Sequence, residues 1–128
     1  MPNINLEITD QRREDMIVGA LEGGSNYWYF LSESSMKAIY TSKLNKEEPI
    51  SIKMWDAILN GATIPVYDIE DIDGDKLGEI NLKSIKKGEE LMAKNHELDF
   101  MCIINEEDDA STADLWFQYC VLGEIVYG

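Results

Sequence analysis

The chain lacks the sequence features of a membrane-spanning or exported protein. It contains no run of about 18 apolar residues, so no segment is predicted to cross a membrane. The first ten residues, MPNINLEITD, hold neither a basic segment nor an apolar stretch, and therefore do not resemble a signal peptide. We expect a cytoplasmic protein without membrane contact.

Histidine and cysteine are too scarce to indicate a metal site or a nucleophile. The only histidine is His96, and Cys102 and Cys120 lie far from it in apolar surroundings, which predicts buried free thiols in a reducing compartment. One histidine and two distant cysteines do not make a zinc site. Nucleophile-elbow, phosphate-loop and dinucleotide motifs are all missing. The sequence therefore favours a non-enzymatic protein with no metal and no cofactor.

The acidic stretch DIEDIDGDKLGE does not fit a calcium-binding loop. An EF-hand loop needs its glycine at the sixth position and oxygen ligands at the first and twelfth. With Gly74 at the sixth position, Ile69 and Ile80 occupy the other two. The stretch is better interpreted as the acidic turn of a β-hairpin, since Asp73-Gly74 is a strong turn signal.

Basic residues are absent from the last quarter of the chain. The net charge is −14, with 25 acidic and 11 basic residues, and no lysine or arginine follows Lys94. The last 34 residues carry eight acids and no base, whereas the first 94 carry 17 acids and 11 bases. Such a field repels nucleic acid and anionic membranes and attracts a basic surface. The alternative is that the charge only keeps the protein soluble.

The hydrophobic patterns predict one α+β domain over residues 1–128, with three to five helices packed on a small antiparallel sheet or hairpin. Alternation predicts a strand over Ile4–Ile8. Thr9 or Asp10 can cap a first helix that ends at Gly23-Gly24. A second helix begins near Pro49, with Ile52, Trp55, Ile58 and Leu59 as its inner stripe.

The second half of the chain has clearer element boundaries. The segment ATIPVYDIED predicts a strand, which Pro65 places at an edge or a bulge, and KLGEINL predicts its hairpin partner. Asn81 can cap the next helix, and HELDFMCIIN indicates another short one. The segment ADLWFQYCVL is apolar almost all round, apart from a polar stripe that includes Asp114 and Gln118, and is typical of a central buried helix.

The segment EGGSNYWYF admits two interpretations. In the first, the glycines end a helix, Asn26 caps, and the aromatic rings fill the core. In the second, the segment is a binding loop, in which glycines allow close approach, Ser25 and Asn26 form hydrogen bonds, and Tyr27 and Trp28 offer ring faces. We define the GGSNYW loop as the candidate ligand or partner site, formed by Gly23, Gly24, Ser25, Asn26, Tyr27 and Trp28.

Three segments resemble a family of small acidic proteins encoded by phages and prophages: ALEGGSNYWY, LKSIKKGEELMAKN and DDASTADLWFQYCVLGEIVYG. The resemblance covers most of the chain, is weakest between Phe30 and Ile50, and departs in the pattern around Asp71–Asp75. It implies a viral accessory protein and no particular reaction. The matching positions are Glu22–Trp28, Asp109, Asp114, Gln118 and Gly123–Gly128.

The charge and the resemblance together suggest a protein that binds and inhibits a host defence or nucleic-acid-binding protein, in the manner of anti-CRISPR-like DNA mimics. The expected partner has a basic surface, and a homodimer is a further expectation. The alternative is a small-ligand protein that sequesters a nucleotide-like signal at the GGSNYW loop. We define the predicted acidic face as Glu97, Asp99, Glu106, Glu107, Asp108, Asp109 and Asp114.

Overall fold

The computed structural model describes residues 7–128 as one α+β domain. Within this range it contains six α-helices, which is more than the three to five predicted, and a three-stranded antiparallel sheet. A π-helical turn, Ala20–Gly24, continues the first helix. The elements are α1 (Asp10–Gly19), β1 (Tyr29–Phe30), α2 (Glu33–Ile39), α3 (Ile50–Leu59), β2 (Ile64–Asp68), β3 (Gly78–Ile80), α4 (Leu82–Asn95), α5 (Glu97–Ile104) and α6 (Ala110–Leu122).

The first described residues bear on two sequence predictions, the strand over Ile4–Ile8 and the cap of the first helix. Of the strand predicted over Ile4–Ile8, the first three residues lie outside the described range, and Glu7 and Ile8 belong to no strand. Thr9 is the cap of α1, since its hydroxyl accepts a hydrogen bond from the backbone N–H of Arg12 at 3.2 Å. Asp10 is therefore the first helical residue and not the cap.

The predicted hairpin is confirmed by β2 and β3, which pair antiparallel with Ile64 opposite Ile80. β2 is the central strand, yet β1 pairs only with Tyr67 and Asp68 at its far end. Pro65 therefore lies where the β1 side of the ladder has ended, and its carbonyl accepts the Ser35 hydroxyl at 2.5 Å instead. Proline has no backbone N–H to donate to a neighbouring strand, and at this position no β1 residue is paired opposite it, so a central strand tolerates it here.

Side-chain caps define where several helices begin. Asn81 caps α4 as predicted, accepting from the backbone N–H of Ser84 at 2.7 Å. The polar segment SESSMK begins α2, because Ser32 and Ser35 make a reciprocal capping box. Two mutually bonded serines thus start a helix in a mixed polar segment.

The inner stripe predicted for α3 is partly wrong. Trp55 and Ile58 are buried, as expected, but Leu59 is 43% exposed and Ile52 is only half-buried. Met54 and Ala57 are buried in addition. The buried residues therefore lie about one position earlier along α3 than the predicted stripe.

The central position predicted for α6 is confirmed. Trp116, Phe117 and Gln118 have no exposed surface, and α6 packs against α1, α4, α5 and β3. Gly88 lets α4 come close, since a Cβ there would lie 2.7 Å from the backbone carbon and oxygen of Tyr119. Cys120 is buried in this interface, whereas Cys102 is half-buried, and both are free thiols.

No helix between residues 7 and 128 has both the length and the apolar character needed to cross a membrane. The longest helix, α4, has 14 residues and carries charged side chains along its exposed face.

Candidate functional site

A buried carboxylate connects the GGSNYW loop to the central helix. Asp114 lies on α6 and is 8% exposed. Its Oδ1 accepts hydrogen bonds from the Ser25 hydroxyl at 2.7 Å and from the Trp28 indole N–H at 2.8 Å. Its Oδ2 accepts from the Tyr27 hydroxyl at 2.6 Å and from the Gln118 amide at 3.1 Å. Four neutral donors thus compensate the burial of one charge.

Gln118 extends this network to the last residues of the chain, Gly123–Gly128, which we call the tail. Its Oε1 accepts from the backbone N–H groups of Val126 and Tyr127, each at 2.9 Å. Its Nε2 also donates to the Tyr127 carbonyl at 3.1 Å. One amide side chain therefore holds the tail beside the GGSNYW loop.

Trp28 belongs to the core. It is 1% exposed, its ring stacks on Tyr127 with centroids 5.2 Å apart and planes 11° apart, and Phe117 lies 5.5 Å away. Neither face of the indole is open, so the predicted stacking of Trp28 on a ligand is not available in this arrangement. Tyr27, by contrast, is 52% exposed, and Gly23 and Asn26 are exposed beside it.

The GGSNYW loop lies directly against the start of α6. A Cβ at Gly24 would overlap the carbonyl oxygen of Ala110 and lie 3.2 Å from the Ala110 carbonyl carbon. Glycine is therefore required for this approach of two backbones. The contact brings the loop next to Asp109, so the two candidate sites predicted from sequence adjoin in space.

This contact predicts different effects for two neighbouring substitutions. Gly24→Ala is expected to lower the free energy of unfolding by about 1–3 kcal/mol, because the added methyl group forces the π-helical turn away from α6. Gly23→Ala is the matched control, since a Cβ at Gly23 has no neighbour within 4 Å. Urea denaturation followed by tryptophan fluorescence measures both, and equal effects would contradict the contact.

The structure divides the predicted acidic face. Asp114 is buried in the network above, and Asp108 is half-buried and paired with the Arg12 guanidinium, which also donates to the Ile103 carbonyl at 2.9 Å. These two residues are thus not part of an exposed anionic surface. The remaining five, which we call the acidic strip, are exposed or half-exposed: Glu97, Asp99, Glu106, Glu107 and Asp109.

The acidic strip consists of two groups of residues at the two ends of α5. Glu97 and Asp99 lie in the first turn of α5, and the other three follow its end. Because the eight residues of α5 rise about 12 Å, the two groups of acids lie at opposite ends of this helix. None of its members forms one of the ion pairs found among residues 7–128.

Asp109 has a structural role in addition to its charge. Its carboxylate accepts the backbone N–H of Thr112 at 3.0 Å and caps α6. This backbone hydrogen bond, followed by that of the Thr112 side chain, holds the Asp109 pKa below its usual value. Asp109 therefore stays anionic at neutral pH.

Glu89 is a buried charge that the sequence analysis missed. It is 8% exposed on α4 and accepts two hydrogen bonds from Arg13, with Nη2 at 2.7 Å and Nε at 2.9 Å, and a third from the Trp116 indole at 3.0 Å. The hydrogen bonds to Glu89 are the largest cause of the raised pKa of Arg13. Its position four residues after buried Ile85 was the available signal, since that spacing places it on the inner face of α4.

A groove of about 710 Å³ opens beside this ion pair, between α4, α5 and the start of α1. Its lining mixes apolar side chains such as Phe100 and Met101 with charges of both signs, including Lys86 and Glu90. The GGSNYW loop does not line it. Between residues 7 and 128, no three histidine, cysteine or acidic side chains gather as a metal site would require.

Two tyrosines at the loop and the tail have perturbed ionisation. Burial, together with the hydrogen bond to Asp114 and its charge, raises the pKa of Tyr27 to about 12. Burial, followed by the charges of Asp68 and Glu70, raises the pKa of Tyr127. Both hydroxyls thus stay protonated at neutral pH, and the tail lies close to the acidic turn after β2.

Comparisons with protein-family models, with curated proteins and with solved structures give no match to this chain.

Proposed function

We propose that the chain is a non-enzymatic accessory protein of the phage type that binds a basic, nucleic-acid-binding surface of a host protein and so inhibits it. The observation that carries the proposal is the acidic strip: five carboxylates at the ends of α5, none of them in an ion pair within residues 7–128. The resemblance to small acidic phage proteins supports the biological context.

The geometry of the strip supports mimicry of a phosphate backbone. Glu106, Glu107 and Asp109 lie within four consecutive residues, so they span at most about 11 Å. This segment therefore concentrates three anionic side chains, and their fields add most strongly at low salt, where screening is weakest. With Glu97 and Asp99 at the other end of α5, the strip places anionic side chains at both ends of one helix, as mimicry of a nucleic-acid strand would require.

The alternative function, sequestering a nucleotide-like ligand at the GGSNYW loop, is less well supported. Ser25 and Trp28, which would read and stack on such a ligand, already bind Asp114. Only Asn26 and Tyr27 remain exposed among the polar and aromatic side chains of the loop. We therefore propose protein binding as the function.

The proposal predicts that neutralising the strip weakens capture of a basic host protein. In a pull-down from a bacterial lysate at low salt, the triple variant Glu97→Gln, Glu106→Gln, Glu107→Gln is expected to bind the captured protein about tenfold more weakly than the unchanged chain. Double-stranded DNA should displace the protein from the unchanged chain, because both occupy the same basic surface. Affinity should also fall steeply between low and high salt.

A matched control has the same change in net charge elsewhere. Glu33, Glu47 and Glu48 are exposed and belong to no ion pair within the described residues. Their replacement by glutamine should leave the affinity within about twofold, since only general attraction is lost. If both triple variants weaken binding equally, or if salt has little effect, the strip is not the binding surface.

A further inference from the structure

Three large apolar side chains are exposed around the GGSNYW loop and the tail. Tyr27 is 52% exposed, Val126 is 55% exposed and Ile69 is 43% exposed. Single exposed apolar residues are ordinary on a protein surface, whereas neighbouring ones indicate contact with another molecule. We call these three residues the Tyr27 surface.

Hydrogen bonds show that the three residues belong to neighbouring segments. The Gln118 amide contacts both the Tyr27 hydroxyl at 3.4 Å and the backbone N–H of Val126 at 2.9 Å. The backbone N–H of Ile69 donates to the carbonyl of Trp28, the residue after Tyr27, at 2.9 Å. The loop, the tail and the turn after β2 therefore meet at one side of the molecule.

Hydrogen bonds position two of the three residues of the Tyr27 surface. The Tyr27 hydroxyl is fixed by Asp114 at 2.6 Å, and the backbone of Val126 is fixed by Gln118. Side chains ordered in advance lose less conformational entropy on association than mobile ones. A fixed, half-exposed tyrosine is also the type of residue that most often anchors an interface.

The charges around the Tyr27 surface are negative. Asp68 and Glu70 flank Ile69 in sequence and act on Tyr127, and exposed Glu124 lies in the tail two residues before Val126. Within residues 7–128, none of these three acids forms an ion pair, and Lys76 of the same hairpin pairs with Glu79. A partner that fits this surface must therefore supply apolar contacts surrounded by lysine or arginine.

We propose that the Tyr27 surface is the apolar anchor of the same host-protein interface, occupied by an amphipathic, basic segment of the partner. This inference rests on the proposed function and extends it. The contact between Gly24 and Ala110 brings the GGSNYW loop, which carries Tyr27, next to Asp109 of the acidic strip. In this proposal the strip attracts the partner and the Tyr27 surface holds it.

The test uses a defined probe: a fluorescent 14-residue peptide of lysine and leucine whose leucines lie on one helical face. Binding to the full chain is measured by fluorescence anisotropy at physiological salt. Tyr27→Ala is expected to weaken binding about tenfold, because an interface anchor is lost. Tyr27→Phe keeps the ring and should stay within about threefold, and Val126→Ser should weaken binding without touching the network side chains.

Tyr40 provides the matched control, since it is 60% exposed and lies at the end of α2. Tyr40→Ala should bind the peptide as the unchanged chain does, and thermal unfolding checks that each variant is folded. Equal weakening by Tyr27→Ala and Tyr40→Ala would overturn the inference. So would loss of binding on filling the groove beside α4 with Ala93→Trp, which would assign the peptide to that groove.

The failure of this inference is distinguishable from failure of the proposed function. If the host protein is lost on neutralising Glu97, Glu106 and Glu107 but retained at full affinity by Tyr27→Ala, the acidic strip binds alone. The function then stands without the apolar anchor. Loss of the host protein with Tyr27→Ala and not with Tyr40→Ala supports both.

Discussion

Replacing Asp114 by alanine is expected to lower the free energy of unfolding by about 3 kcal/mol or more. The substitution leaves the buried Ser25 hydroxyl and Trp28 indole N–H without their acceptor. Each unsatisfied buried donor costs roughly 1–3 kcal/mol. The tail should loosen as well, because Gln118 loses the carboxylate that positions its amide. Urea denaturation gives the stability, and proteolysis at the C-terminus reports the tail.

Asp114→Asn removes the charge of this side chain and nearly keeps its shape. The amide keeps one oxygen for Ser25 and Trp28 but presents an N–H₂ group to Gln118, so we expect a smaller loss than with alanine. The pKa of Tyr27 should fall below about 12, since the hydrogen bond to Asp114 and its charge disappear. It should stay above its ordinary value, because burial, the largest cause, remains. Ultraviolet titration of tyrosine ionisation, with Tyr27→Phe to identify the transition, measures this shift.

The pH dependence of the network has a defined sign. A tyrosine with a raised pKa contributes stability that is complete below the ordinary pKa of 10.0 and is lost as the pH rises through about 12. The unchanged chain should therefore lose this contribution between these values.

Glu124→Ala, an exposed acid in the same tail, is the control for Asp114→Ala and should change stability by less than about 0.5 kcal/mol. Equal effects of Asp114→Ala and Glu124→Ala would contradict the buried network.

The elements that the sequence predicts well are those defined by local chemistry. The predicted cap Asn81 accepts from the backbone N–H three residues on, so the signal and its partner lie in one short segment. The central position of α6 follows from its nearly uniform apolar composition. Local patterns of this kind need no knowledge of how distant segments pack.

The different environments of the acids could not be predicted in this way. Asp109 and Asp114 are five residues apart, yet one is an exposed cap and the other is buried among donors from a segment 86 to 89 positions earlier. Asp108 pairs with Arg12 across 96 positions. The charge count of the last part of the chain is accordingly larger than the charge it exposes.

The same reason explains the GGSNYW loop, in which Trp28 is buried, as the core interpretation expects, and Tyr27 is half-exposed. Trp28 is core because Asp114 supplies an acceptor for its indole N–H, whereas Tyr27 stays half-exposed on the same carboxylate. The two residues are consecutive in a turn, and the local sequence does not indicate which ring is buried. That choice depends on Tyr127, about a hundred residues away, which stacks on Trp28.

Loss of Glu89 is expected to have the largest effect on stability among the substitutions considered. Among residues 7–128, Glu89→Leu leaves the Arg13 guanidinium with only the exposed Asp10 as a partner, and it removes the acceptor of the Trp116 indole. Breaking one side of a buried ion pair costs about 3–5 kcal/mol. Thermal unfolding and urea denaturation of the variant measure the loss.

The double variant Arg13→Met, Glu89→Leu tests whether stability depends on the ion pair itself or only on not leaving one charge without its partner. Replacing both partners by apolar side chains removes the uncompensated charge, so we expect it to recover most of the stability lost by Glu89→Leu. A residual loss of about 1–3 kcal/mol should remain, because the Trp116 indole still has no acceptor. Glu90→Leu is the neighbouring control, since Glu90 is exposed and bonds to none of these groups. If the double variant is as unstable as Glu89→Leu, the loss comes from the Trp116 hydrogen bond and not from the stranded arginine.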